Sequence, residues 1–290
     1  MSFGILFGII IRFTYSAAYL YIDQTVFTIM LFYFSGTGNS TFVATTLSNL
    51  LGLKLLFIPE VNVDELDLPE KRILFVFPVY SWGVPPLVTD FIKRIPPIFW
   101  ERAKDAGISI DCVMTCGDEV ALAPEMITKN LRKVGITINS IWSVIMPNNY
   151  VLLPGFDVDS QEVEKRKLSE CEKRILEIAQ GLSQFQRTVD VVRGSIPWLK
   201  TKIVFPLFKR WGIFPQKWHF TASCISCGKC ASICPMLNVT MQDGHPKWGS
   251  RCCSCLACYH VCPVHAVEYS NFTKKKGQYL FPLKKIFVSA

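Results

Sequence analysis

The stretch MLFYFSGTGNST, residues 30–41, sets five consecutive apolar residues against a loop of four hydroxyls and two glycines. A buried strand that runs into such a loop, with a helix to follow, is a usual setting for a phosphate. A nucleoside triphosphate loop needs a lysine after its last glycine, and none occurs from Ser35 to Thr41. A dinucleotide fingerprint needs a third glycine where Thr41 stands, although Glu60 lies where a ribose-binding acid would fall. A terminal phosphate monoester asks for something else: three charged oxygens that all want donors. Ser35, Thr37, Ser40 and Thr41 offer hydroxyls, Asn39 an amide, and the following helix its free N–H groups.

Working outward, short apolar runs alternate with helical periodicity, the pattern of a parallel sheet covered by helices. The runs are MLFYF (30–34), LKLLFI (53–58), RILFVF (72–77), ISIDCVM (108–114) and INSIWSVIM (138–146), which predicts five strands. Helical spacing appears at Val88, Phe91, Ile92 and Ile95, stopped by Pro96, and at Leu168, Cys171, Ile175 and Ile178, ended by Gly181. An α/β layered domain is expected over 30–182. Half of the residues are hydrophobic and 19% are charged, so the chain can bury a core.

Ser35-Gly36-Thr37-Gly38-Asn39-Ser40 resembles the first loop of flavodoxins, a resemblance that covers about residues 30–150. It implies a flavodoxin-like, doubly wound five-stranded parallel sheet in the order 2-1-3-4-5, with FMN at the switch point. It also implies two further FMN loops. PVYSWGVPP (78–86) carries Tyr80, Ser81, Trp82 and Gly83, with Tyr80 or Trp82 stacked on the ring and Gly83 turning the backbone. TCGD carries Thr115, Cys116, Gly117 and Asp118, with Gly117 presenting a backbone group. No histidine occurs before His219 to activate Cys116, which reads as a passive thiol. MPNNYVLLPGFD (146–157) extends the last strand beyond the family pattern, either to line the flavin pocket or to meet the next domain.

Nine of the twelve cysteines lie between Cys224 and Cys262, a crowding that points to metal ligation in a reducing compartment. CISCGKCASICP (224–235) and CCSCLACYHVCP (252–263) superimpose with a shift of 28 residues, and Val239 falls on Val267. Structural zinc uses pairs of ligands separated by a longer span, whereas each run here offers three in close series and a fourth before proline. Residues 219–270 resemble a bacterial two-cluster ferredoxin, in which the fourth cysteine of each run ligates the other 4Fe-4S cluster. The resemblance assigns Cys224, Cys227, Cys230 and Cys262 to one cluster, and Cys234, Cys252, Cys255 and Cys258 to the second. It implies a smaller α+β domain, a β-hairpin and helix sandwich. Cys253, His260 and His265 are expected near the clusters without ligating them.

Three segments remain. Residues 1–29 form an apolar leader with Arg12 inside it; it reads as dispensable or as a misassigned start ahead of Met30, with membrane contact as the alternative. Residues 183–218 are a basic aromatic connector whose Trp198, Phe205, Phe208, Trp211 and Phe214 are expected to cement the two domains, with an acidic partner or a membrane surface as the functional alternative. Residues 271–290 form a tail.

The formal charge is +8. Two clusters with their thiolates contribute about −4 and the flavin phosphate about −2, so the loaded protein is near neutrality and nucleic acid is not indicated. The expected function is cytoplasmic electron transfer between FMN, two 4Fe-4S clusters and redox protein partners. A flavin-dependent reductase of a small substrate is the alternative; no general acid or base is assigned.

Overall fold

Period-two alternation in the first strand divides the core in two. In the computed structural model, which describes residues 29–69, 71–211 and 215–282, Met30, Phe32 and Phe34 face one side of the sheet while Ile29 and Leu31 face the other. Apart from Ile29, the leader lies outside the described residues.

The strands are β1 (Ile29–Tyr33), β2 (Lys54–Phe57), β3 (Arg72–Pro78), β4 (Ser109–Cys116) and β5 (Ser140–Ile145), all parallel, in the order 2-1-3-4-5. The expected five-stranded sheet has a sixth member, β6 (Val189–Asp190), parallel to β5 and within the segment read as a connector. Both of its residues are exposed, so no buried alternation marks it. Arg174 holds it in place by donating to the Asp190 carbonyl at 3.0 Å and the Ser143 carbonyl at 3.1 Å.

One face of the sheet is covered by α2 (Pro86–Arg94), α3 (Pro97–Asp105) and α4 (Ala123–Arg132), the other by α1 (Asn39–Leu51) and α5 (Gln161–Ser183). Phe32 stacks on Phe75 at 5.5 Å and meets the edge of Phe91 at 5.0 Å, each fully buried ring contributing about 1.5–3 kcal/mol. Gly181 does not end α5 as expected; the helix runs on to Ser183. A β-carbon there would sit 3.3 Å from Trp142, so this glycine serves close packing against β5.

The second region repeats itself in three dimensions. It consists of β7 (Trp218–Phe220), α7 (Lys229–Ser232), β8 (Val239–Gln242), β9 (His245–Trp248), α8 (Ala257–His260) and β10 (Val267–Tyr269). Val239 pairs with Trp248 and Val267 with Phe220, positions related by the 28-residue shift, as are the pairs Met241–Pro246 and Tyr269–Trp218. Each half lends its second strand to the first strand of the other, so neither half closes its own sheet. Between the two regions, α6 (Phe205–Trp211) follows a helical turn Pro197–Leu199 and a π-helical turn Lys200–Val204. Among the described residues no helix is long and apolar enough to cross a membrane.

At the amino end of the sheet a buried ion pair joins Arg72 Nε to Asp111 at 2.9 Å, both side chains almost wholly enclosed. Asp111 also accepts hydrogen bonds from Ser140 and from Asn139 at 3.1 Å, and Arg72 donates to the Leu182 carbonyl at 2.6 Å. Asp111→Ala strands a buried guanidinium and should destabilise the fold by about 3–5 kcal/mol, measured as a lowered denaturant midpoint; Arg72→Leu with Asp111→Ala should recover part of the loss.

Candidate functional site

The carboxyl ends of β1, β3, β4 and β5 open into one cavity. Ser35, Gly36, Thr37, Asn39, Ser40, Tyr80, Ser81, Thr115, Cys116 and Gly117 line it, ten residues singled out from sequence. Trp82 and Asp118 lie on an adjoining, more open cleft that shares Ser81, Cys116 and Gly117 with the first. Gly38 and Gly83 line neither.

The hydroxyl loop is held by partners distant in sequence. Ser40 and Thr115 share a hydrogen bond at 2.8 Å, the Asn149 amide donates to the Thr37 hydroxyl, and Asn39 donates to the Pro147 carbonyl at 2.9 Å. Gly38, at φ 99°, supplies the left-handed residue before α1; that helix has no side-chain cap and no acid in its first turn. Its unneutralised N-terminal dipole and hydroxyl donors at the cavity suit a phosphate monoester.

The second loop corrects the expectation for Gly83. The positive-φ residues of its turn are Ser81 (45°) and Trp82 (62°), bracketed by reciprocal 3.0 Å bonds between Tyr80 and Gly83. A left-handed conformation costs a side-chain-bearing residue about 1–2 kcal/mol, and a lock offsets it: Trp82 Nε1 donates to Glu119 at 2.9 Å, Lys200 pairs with Glu119, and Thr201 donates to the Trp82 carbonyl at 2.8 Å. Gly83 is needed because the Phe205 ring lies 2.5 Å from where its β-carbon would be. Gly117 is likewise obliged by the Asn148 side chain. Tyr80 is half-buried beside the second cysteine run, and desolvation, with the nearby Cys253, Cys255 and Cys252, pushes its phenol well above the ordinary value.

The segment 146–157 reaches both the cavity and the cysteine-bearing region. Pro147, Asn148, Asn149 and Tyr150 line the cavity, while Val151 and Leu152 are buried in the core of the cysteine-bearing region. Behind Asn148, the buried Lys167 pairs with Asp159 at 2.8 Å and Asp118 at 3.2 Å. Burial raises Asp159, but hydrogen bonds from Lys167 and Asn148 outweigh it and hold the carboxyl below its usual value.

The connector aromatics part company. Phe205 and Phe208 are buried, Phe208 in the cavity wall, whereas Trp198 is exposed. The Trp211 side chain and Phe214 lie outside the described residues. The tail closes the back of the hydroxyl loop: Phe281 N–H donates to the Thr37 carbonyl at 2.8 Å, Tyr279 Oη bonds Asn39 Oδ1 at 2.7 Å, and Phe281 stacks on Phe42. Tail contacts and Asn148–Tyr150 were not foreseen as site residues; their polar, aperiodic sequence carries no spacing signal.

The eight run cysteines fall into two groups around two small voids. Cys224, Cys227, Cys230 and Cys262 line one; Cys234, Cys252, Cys255 and Cys258 line the other, with Cys253 beside them. Among the described residues no group of three or more His, Cys, Asp or Glu side chains is placed to hold a metal ion. Left-handed residues recur at the same shift: Ser226 and Ser254, Gly228 and Leu256, Leu237 and His265. So do hydrogen bonds to sulfur, Asn238 N to Cys234 at 3.3 Å and Ala266 N to Cys262 at 3.1 Å. Burial pushes Cys252 up to about 11 and Cys258 well above the ordinary thiol value, so a positive core between these sulfurs would be needed to hold them as thiolates. Trp248 Nε1, buried and without a conventional partner, adds a donor that favours the Cys258 thiolate.

His260 is no ligand candidate in this arrangement. Its Nδ1 accepts from Tyr279 N–H at 3.0 Å, so Nε2 carries the proton and donates to the Asn149 carbonyl at 2.7 Å. His265 bonds the Tyr259 hydroxyl at 2.7 Å.

No protein-family model matches the chain, and no curated protein does. Among solved structures it is similar to the Trp repressor binding protein from Bacillus subtilis, at 15% identity over 51% of this chain and 97% of that one, TM-score 0.34. It is also similar to an NAD(P)H:quinone oxidoreductase from Methanothermobacter marburgensis, at 13% identity over 53% of this chain and 95% of that one, TM-score 0.34. Likenesses this slight transfer no chemistry.

Burial pushes the Cys116 thiol up to about 12, so it should stay unmodified by iodoacetamide at pH 8 in the folded protein and react once denaturant unfolds it. Peptide mass mapping of Cys116 with and without denaturant checks this.

Proposed function

We propose that the protein is an electron-transfer flavoprotein, with FMN in the loop cavity and two 4Fe-4S clusters within the cysteine quartets. The observation that carries this reading is Cys255, which lies on the wall of the cavity and of the second sulfur-lined void at once. FMN exchanges one or two electrons and each cluster one, so the combination splits a two-electron event into single steps.

The chain's own residues do the positioning. Thr37, Ser40, Asn39 and the start of α1 meet the phosphate. Tyr80 and Cys255 exclude water between the cavity and the second quartet. A cubic cluster wants its sulfurs spread around a void rather than converging on one atom, which suits the geometry of both quartets. The first quartet lies at the surface: Cys227 is exposed, as are Ile225, Val264 and Met241 around the same void, so a redox protein partner would exchange electrons there. The relay reads cavity, second quartet, first quartet, partner.

A second reading, reduction of a small substrate, is favoured by the open cleft beside the cavity, walled by Trp82, Tyr150 and Phe156. Its test is whether anaerobically reduced protein is reoxidised by aromatic acceptors small enough for that cleft; an inert protein across a broad panel removes this reading.

Purified without oxygen, the protein should contain about eight irons and one FMN per chain. Zinc in place of iron, or a colourless preparation, overturns the assignment. Ser40→Leu or Thr37→Leu should abolish FMN retention and leave the iron content unchanged, read by absorption and metal analysis on the same sample.

A further inference from the structure

The segment 196–211 has two faces. Inward, Thr201 bonds the Trp82 carbonyl, Phe205 fills the space above Gly83, and Phe208 walls the cavity. A surface helix ordinarily turns polar residues outward. This one turns aliphatic residues outward as well: Leu199, Ile203 and Leu207 are 40–44% exposed, and their four-residue spacing places them on one outward stripe. Ile196, 64% exposed, and Trp198, 60% exposed, lie where the segment enters it.

The charge around this stripe has one sign. From residue 194 to 217 the chain carries Lys200, Lys202, Lys209, Arg210 and Lys217 and no acid. Lys200 is engaged by Glu119, while Lys202 and Lys209 are exposed beside the stripe.

We propose that this face seats on an anionic lipid surface, the aliphatic stripe and Trp198 entering the headgroup boundary and the lysines meeting lipid phosphates. An acidic protein would answer the cations alone. A continuous aliphatic stripe with a flanking tryptophan and basic borders fits a bilayer interface, which answers both. Because the inner face of the same helix walls the cavity, docking sets the cavity about one helix diameter, roughly 10 Å, from the lipid. The inference holds whichever cofactor the cavity takes.

The test uses the full chain, sedimented with vesicles of phosphatidylcholine alone or mixed with phosphatidylglycerol. The protein should partition onto the mixed vesicles and be released by salt. A lysine near an anionic surface is worth about a fivefold change in partitioning, so Lys202→Glu with Lys209→Glu should lower it at least about tenfold. Ile203→Glu with Leu207→Glu should lower it comparably. All four positions are exposed, so thermal midpoints should not move; if the apolar pair nevertheless unfolds, the lysine pair and the salt titration decide. Absence of binding to mixed vesicles overturns the proposal. So does equal binding by wild type and both variants, which would place the membrane contact elsewhere, such as residues 1–28. Loss of binding to an acidic protein, with no vesicle binding by wild type, overturns it in favour of a protein partner.

Discussion

Cys255 passes so close to Gly36 that no side chain fits between them: a β-carbon at residue 36 would meet the Cys255 carbonyl and lie 2.7 Å from its β-carbon. This approach joins the hydroxyl loop to the second cysteine run, and the cavity exists because the two form adjacent walls of it. The other loops repeat the device. Gly83 yields to Phe205, and Gly117 yields to Asn148. None of these three glycines adopts a positive φ. Each is there so that a segment remote in sequence can close over the carboxyl end of the sheet, which is where an open parallel sheet binds its ligand.

Beyond that contact the cysteine region depends on its own symmetry. Strands are exchanged between halves, so folding one repeat requires the other. Paired left-handed residues store strain at matching positions, and such strain persists where the surroundings over-determine it. The sulfur-lined voids are the feature common to both halves.

The two regions are fastened by the chain's least patterned parts. Lys276 donates to the carbonyls of Val151 at 2.8 Å and Phe156 at 2.6 Å, and Gln278 donates to the Tyr259 and Cys262 carbonyls at 2.6 and 2.9 Å. His260 ties the tail to the 146–157 segment. Burial lowers its pKa to about 4, so it serves as a neutral bridge at physiological pH. These are single, directional contacts, and the one from His260 to Asn149 supports the wall of the cavity.

Local chemistry was enough to read much of this from the sequence. The unbroken apolar run from Met30 to Phe34 marks a strand buried on both faces, and the helix spacing from Val88 to Ile95 and the cysteine repeat are equally local signals; strand order and the further site loops come from the resemblance of the hydroxyl loop to that of flavodoxins. Tertiary structure alone decided the rest. Val189–Asp190 joins the sheet because Arg174 holds it, Gly181 lies inside the last turn of its helix where Trp142 crowds it, and Asn149 and Phe281 reach the hydroxyl loop from far along the chain. No periodicity encodes such contacts, because what selects them is the space left by residues elsewhere in the fold. For the same reason, only the folded chain reveals that the outward stripe of 196–211 is apolar.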